Sequence, residues 1–327
     1  MTKFRSSRRF ALLATRRMSL SGLLVVNKKA KMTSHDVVEK LRRVLKFKKI
    51  GHAGTLDPGA QGVLLACLGK ATKITTFLME YDKEYEAVIR LGVTTDTYDG
   101  EGEVLQIRDN PTVSEEEIRA AVESFRGEIW QTPPLYSAVK QGGKKLYQYA
   151  RAGKQVERKR RRVLIKDIRV LEVKLPFVKL KVNCSKGTYI RSLAHDMGEM
   201  LGCGAHLFSL LRTRVGPFHV KEALDLEVIE EIEKEGKIAD FLIGIEKVLA
   251  HVPSVSVENG FARRIKEGPH LVSSSVLSWE KEFDKDQMIC IKNNQGEIIA
   301  IGKALCSSGE FSDKTREGRL FEYSRVL

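Results

Sequence analysis

The sequence predicts an α+β chain built on a mixed β-sheet, with a small β-rich unit at its C-terminal end. Three observations carry that prediction. Strand-like and helix-like segments are interspersed without the regular strand–helix–strand rhythm of a doubly wound fold. No G-x-G-x-x-G follows a predicted strand and no Walker A loop occurs, so no nucleotide-cofactor site is visible. From Pro253 onward, short strand patterns are separated by Gly, Pro and Ser.

The elements follow in order. Gly22 to Asn27 is a short apolar strand. Thr33-Ser34-His35-Asp36 opens a helix, with Thr33 or Ser34 as its cap and Val37, Val38, Leu41 and Val44 on one face. Gly51 to Ala60 is a glycine- and proline-bounded loop holding Asp57, and the apolar run Val63 to Leu68 behind it has the length of a buried strand. Loops anchored to a rigid scaffold are where catalytic groups concentrate. In Glu84 to Leu91, Tyr85, Ala87, Ile89 and Leu91 alternate with Glu86, Val88 and Arg90, as in a half-buried strand. Ser114-Glu115-Glu116-Glu117 is a capping box that starts a helix through Ile118, Ala121, Val122 and Phe125.

Residues 163 to 184 read as two strands broken near Pro176. Tyr189 to Leu201 reads as a helix with Ile190, Leu193, Ala194, Met197 and Leu201 on its apolar side, and Cys203 to Phe218 is strand-like. An acidic helix from Asp225 to Lys237 precedes a boundary near Val252-Pro253, and Met288 to Lys292 and Glu297 to Lys303 are the clearest strands beyond it. The expected organisation is a basic, disordered tail over 1–20, a main domain over 21–250 with a basic insertion near 135–162, and a small domain over 253–327.

Charge narrows the partner. The 327 residues carry a net charge of +14. Residues 1 to 17 hold six basic and no acidic residues, and residues 253 to 327 hold 11 of each, which leaves an excess of eight between 18 and 252. A basic main domain calls for a polyanion, of which nucleic acid is the commonest. The block from Lys140 to Lys166 concentrates it: Lys140, Lys144, Lys145, Arg151, Lys154, Arg158, Lys159, Arg160, Arg161 and Arg162, with Tyr147 and Tyr149 interleaved. Five of the six residues from Arg158 to Val163 are basic with no acid among them, a pattern for phosphate. Gly142-Gly143 fits a hinge or turn inside the block.

Other classes recede. The longest apolar runs fall far below the ~20 residues of a membrane span, so the sequence reads as a soluble protein. The five cysteines, Cys67, Cys184, Cys203, Cys290 and Cys306, form no C-x-x-C pair, which disfavours zinc and a disulfide framework and suits a reducing, cytoplasmic setting. The Arg- and Ser-rich N-terminus suits an organellar transit peptide, a basic tail, or a start site at Met18, with the last two favoured. A single chain with no protein partner is the default expectation.

Five segments, taken together, resemble one family. They are GHAGTLDPGAQGVLLACLGKATK from Gly51, Lys83-Glu84-Tyr85, PPLYSAVKQGGKKLYQYARAG from Pro133, SKGTYIRSL from Ser185 and GAHLFSLLRTRVGP from Gly204. In this order they resemble the TruB family of pseudouridine synthases, over roughly residues 22 to 225. The resemblance implies isomerisation of uridine 55 in the T-arm loop of tRNA to pseudouridine, with no cofactor and no metal, since the change is neither redox nor energy-requiring. It places Asp57 as the essential carboxylate, nucleophile or stabiliser of an oxocarbenium ion. Arg191 would be its cationic partner, and Tyr189 either a contact to the base or the group removing the C5 proton. Tyr85 would be the stacking platform, Leu210 part of the apolar wall, and His52 a substrate-binding histidine. The basic block, with Lys144, Lys145, Arg158, Arg160 and Arg161 contacting RNA, would be a mobile insertion that clamps the hairpin loop. The last 75 residues resemble a PUA-type RNA-binding domain, whose zero net charge implies light contact.

Two other readings compete. Guide-RNA-dependent relatives share the GTLDP-type loop, but Gly62-Val63-Leu64 and the run Leu68 to Lys73 look like the stand-alone branch. A non-catalytic RNA-binding or RNA-folding scaffold is the second, and the joint presence of Asp57, Tyr85, Tyr189 and Arg191 argues against it.

Overall fold

The computed structural model describes residues 20–108, 111–154, 156–311 and 318–327. The basic tail expected up to residue 20 lies outside the described residues, Leu20 excepted.

The chain begins with β1 (Gly22–Lys28), whose side chains are buried along nearly its whole length. Helix α1 (Ser34–Leu45) is capped by Thr33, which trades a capping box with Asp36. Val37, Val38, Leu41 and Leu45 form its buried face. Strand β2 (Ile50–Ala53) leads into the Asp57 loop, and β3 (Gln61–Leu68) leaves it fully buried from Gly62 onward. After the short helix α2 (Thr75–Met79), β4 (Lys83–Leu91) alternates as the sequence predicts, with Tyr85, Ala87, Ile89 and Leu91 inward.

A small hairpin of β5 (Val93–Thr95) and β6 (Val104–Ile107) follows. Helix α3 (Glu115–Glu123) carries the Ser114 capping box. Then come β7 (Gly127–Gln131), the two-residue strands β8 (Lys140–Gln141) and β9 (Lys144–Lys145), and α4 (Leu146–Arg151). Gly142 and Gly143 make the β8–β9 turn with φ of +56° and +79°. The long pair β10 (Arg161–Lys174) and β11 (Phe177–Cys184) breaks at Pro176 as expected. Helix α5 (Ile190–Met200) and strand β12 (Ala205–Val215) follow, then β13 (Phe218–His219) and the acidic helix α6 (Leu226–Lys234).

Among the described residues nine of these strands form one sheet in the order β1-β3-β12-β4-β11-β10-β7, with β2 on β3 and β13 on β12, while β5–β6 and β8–β9 pair only with each other. The order is not sequential, and the β3–β12 pairing is parallel where its neighbours are antiparallel. That is the mixed sheet the sequence predicts. Helices α3 and α5 cover one face, where Ile118, Val122, Leu193, Ala194 and Met197 pack on Ala87, Ile89, Leu180 and Val182.

The C-terminal residues form a second sheet of five strands. It is made of β14 (Ser254–Val257), β15 (Val276–Glu280), β16 (Met288–Lys292), β17 (Ile298–Ala304) and β18 (Phe321–Val326), in the order β15-β14-β16-β17-β18. It has its own core around Val255, Phe261, Ile289, Phe311 and Phe321. It also shares one with the large sheet, because Cys290, Ile298, Ile301 and Leu327 join the cluster of Leu23, Val63, Leu65 and Val215. Among the described residues no helix is long and apolar enough to cross a membrane.

Candidate active site

The Asp57 loop, between β2 and β3, is held from both sides by buried cations. On one side the Lys28 ammonium, with no exposed surface, donates to the carbonyls of Met32 (2.6 Å), Lys29 (2.9 Å) and Pro58 (3.1 Å). On the other, Arg212 is 1% exposed and donates to the carbonyls of Val63 (2.7 Å), Gly54 (2.9 Å) and Thr55 (3.5 Å). The Ser34 hydroxyl bridges the Leu56 amide and carbonyl at 2.8 and 3.1 Å. Gly62 must be glycine. Its φ is +101°, and a Cβ there would lie 2.2 Å from the Arg212 carbonyl oxygen. Burial lowers the Lys28 pKa to about 8, opposed by Asp57, and burial likewise lowers that of Arg212. Each cation stays inside because backbone carbonyls replace its water.

Arg191 enters from the first turn of α5. Its Nη2 donates to Asp57 Oδ1 at 3.0 Å, and its Nε lies 2.9 Å from Oδ2 as an ion-pair contact outside hydrogen-bond geometry. The same guanidinium donates to the carbonyls of Tyr136 (3.0 Å) and Thr97 (3.3 Å) and lies 3.4 Å from Asp99 Oδ2. The Arg191 side chain is 6% exposed, whereas that of Asp57 is 43% exposed, so the carboxylate keeps an open edge. Protein walls off its other sides and raises the Asp57 pKa. Arg191 is the main opposing influence, and Asp99 adds to the rise.

That open edge faces a cavity of about 610 Å³. Asp57, Tyr85, Tyr189, Arg191, Leu210 and Arg161 all line it, so six side chains spread over the sequence converge there. Sheet register explains much of this. Arg212 sits opposite Tyr85 across β12–β4 and beside Gly62 on β3, and Leu210 lies opposite Ala87. Tyr189 is the N-cap of α5, and its peptide is gripped by the Gln131 side chain through bonds of 2.7 and 3.0 Å. Burial pushes the Tyr85 phenol to about 12 and raises Tyr189, with Ser137 opposing in the second case. Both phenols are therefore neutral at ordinary pH.

Other expected site residues lie outside the cavity lining. His52 is half-buried on β2, where burial and Arg212 lower its pKa. Lys144, Lys145 and Arg160 belong to the insertion, away from the lining, and Arg158 turns toward Tyr98. Arg162 and Lys186 join Arg161 in the lining.

Sequence reading missed Lys28, Asp99, Gln131 and Arg212. Two of them left a signal. Lys28 closes a strand that opens as Leu23-Leu24-Val25-Val26, and Arg212 follows Leu210-Leu211 in a strand-like run; a charge at a core register is the mark of a buried, hydrogen-bonded cation.

The chain is similar to known proteins over most of its length. Residues 42–190 match the model for the N-terminal domain of TruB family pseudouridylate synthases. Residues 191–250 match the tRNA pseudouridylate synthase B C-terminal domain, and residues 253–327 match the PUA domain. A tRNA pseudouridine synthase B from Clostridium tetani is 45% identical over 265 residues, 81% of this chain and 90% of the relative. Its namesake from Geobacillus thermodenitrificans is 45% identical over 256 residues, 76% of this chain and 85% of the relative. Among solved structures, a chain in a crystal structure of a Cbf5–Nop10–Gar1 complex superposes with a TM-score of 0.73. It is 30% identical, with 93% of this chain and 84% of that one covered.

Proposed function

Because the chain belongs to the TruB family of pseudouridine synthases, we propose that it converts uridine 55 in the T-arm loop of tRNA to pseudouridine, as a single chain without a guide RNA. The observation that carries this reading is the Arg191 ion pair with Asp57 in a cavity that Arg161, Arg162 and Lys186 also line.

The residues divide the work. The uridine leaves its stack at a cost of a few kcal/mol, and stacking on Tyr85 returns on the order of 1–3 kcal/mol. Leu210 closes the apolar wall. Arg191 opposes the protonation that burial favours and aims Asp57, so the carboxylate can attack the nucleotide or stabilise the charge that develops as the N1–C1′ bond breaks. The uracil turns and C5 bonds to C1′. The C5 proton departs and N1 gains one, so electrons and atoms balance within the substrate. Tyr189 is the proposed acceptor of the C5 proton. Its neutral phenol acts as a relay: the oxygen takes the C5 proton, acidic once the new bond exists, as its own O–H proton leaves to solvent, solvent returns a proton to N1, and the phenol ends neutral as it began. Arg160 and Arg161, with Lys144 and Lys145, take backbone phosphates, and His52 lies on the approach to the loop. The domain over 253–327 touches the far end of the RNA.

The test is an isolated T-arm hairpin incubated with the purified protein and no guide, followed by mapping of pseudouridine. Wild type should give product, and Asp57→Asn should lower turnover by at least about a thousandfold while hairpin affinity holds. No product from wild type would sink the reading. Product only on addition of a guide RNA would move the chain to the guide-dependent branch.

A further inference from the structure

Three consecutive residues after β5 dock on one face of α5. The Thr97 carbonyl and the Asp99 carboxylate serve Arg191, at 3.3 and 3.4 Å. Tyr98, between them, stacks on His195 with ring centroids 4.0 Å apart and planes within 7°. Arg191 and His195 are four residues apart, so they share a helix face. Tyr98 holds this position with φ at +64°, a left-handed conformation that strains a bulky residue. Its backbone is fixed as well, since the Leu207 amide donates to the Tyr98 carbonyl at 3.0 Å. Such strain persists only where the surroundings overdetermine it.

The remaining partner comes from the insertion. The Arg158 guanidinium lies 6.0 Å from the Tyr98 ring centroid, within cation–π range. Its Nη1 donates to the Pro133 carbonyl at 3.1 Å and lies 3.5 Å from the Tyr98 hydroxyl. A cation held this way is committed to protein.

We propose that Tyr98 is a positioning residue for the reaction. Docked by His195 and Arg158, it sets the Thr97–Asp99 segment that holds Arg191 against Asp57, and so makes the placement of the insertion felt at the carboxylate. The inference rests on the function proposed above and deepens it. It also changes the role of Arg158 from phosphate contact to internal fastening.

The test measures single-turnover rate on a saturating T-arm hairpin, together with hairpin affinity over a salt series. Tyr98→Gly removes the ring while keeping the left-handed backbone free of strain, so folding is preserved. It should slow turnover by ~10- to 100-fold, the scale of an ångström-level misplacement, with affinity changed less than about threefold. Tyr98→Phe, which keeps the ring, should restore the wild-type rate. Arg158→Ala should slow turnover by a smaller factor and leave the salt slope unchanged, and adding it to Tyr98→Gly should cost nothing further. Wild-type turnover in Tyr98→Gly overturns the proposal. So does an Arg158→Ala variant with normal turnover and a salt slope reduced by about one. In both cases wild type still makes pseudouridine, and the parent function stands. An inactive wild type overturns both.

Discussion

The Asp57 loop and the basic insertion are both surface connections, and they keep their shapes in opposite ways. Between Gly54 and Gly62 the backbone is gripped by Lys28, Ser34 and Arg212, all buried. Between Lys140 and Lys145 the chain is a two-residue ladder closed by two glycines, of which Gly143 stands in open space and Gly142 faces only the Tyr149 hydroxyl, 3.1 Å from where its Cβ would be. The difference follows from what each has to do. A carboxylate that meets a reacting atom must be placed to about 0.5 Å, which takes buried groups with no freedom. Arginines that meet phosphates act through a field that tolerates displacement, and a loosely held segment can follow the RNA.

One substitution made in both places probes this contrast most sharply. Gly62→Ala meets the Arg212 backbone at 2.2 Å, whereas a Cβ on Gly143 finds nothing within 4 Å, and both positions have positive φ. Urea unfolding should show a loss of about 3 kcal/mol or more for Gly62→Ala, and of about 1 kcal/mol for Gly143→Ala. Equal losses would break the comparison.

Next in size is a pH effect confined to the gripped loop. Lys28 titrates near 8 in the folded chain instead of 10.5. Between those values the unfolded chain binds the extra proton, so stability gains from Lys28 as pH rises through that window, and its burial penalty is fully present below it. Measured by unfolding at pH 7.5 and 9.5, wild type should gain about 2 kcal/mol relative to Lys28→Met. Parallel curves would mean the ammonium is not held as described.

The smallest effects belong to the end of the insertion, where it runs into β10. Arg160→Glu and Arg161→Glu should each weaken hairpin binding by about tenfold and flatten its salt dependence, without moving the unfolding midpoint. A shifted midpoint with unchanged affinity would assign these arginines to structure.

Much of this was legible because local rules and tertiary packing agree. The alternation from Tyr85 to Leu91 and the capping box at Ser114 each announce one element, and each element forms. The cavity was legible through motif order: Asp57, Tyr85, Tyr189, Arg191 and Leu210 are far apart in sequence and meet around one space. Strand order was not, since alternation says which side faces inward and not which strand is the neighbour. Lys28 and Arg212 escaped because pattern reading sends charges to the surface, and only tertiary structure supplies the carbonyls that let them stay inside. Arg158 looked like its neighbours in a basic run, and a tyrosine sixty residues upstream gives it a different partner.

The apolar seam between the two sheets has a consequence for cooperativity. Leu65 and Val215 of the large sheet and Ile298 and Ile301 of the small one belong to one cluster. Neither lobe can open without exposing hydrocarbon of the other, so the two should melt in one calorimetric transition. The C-terminal sheet thereby acts as a stiffener for the strand pair β1–β3, and through it for the loop at the far end of β3 where Asp57 waits.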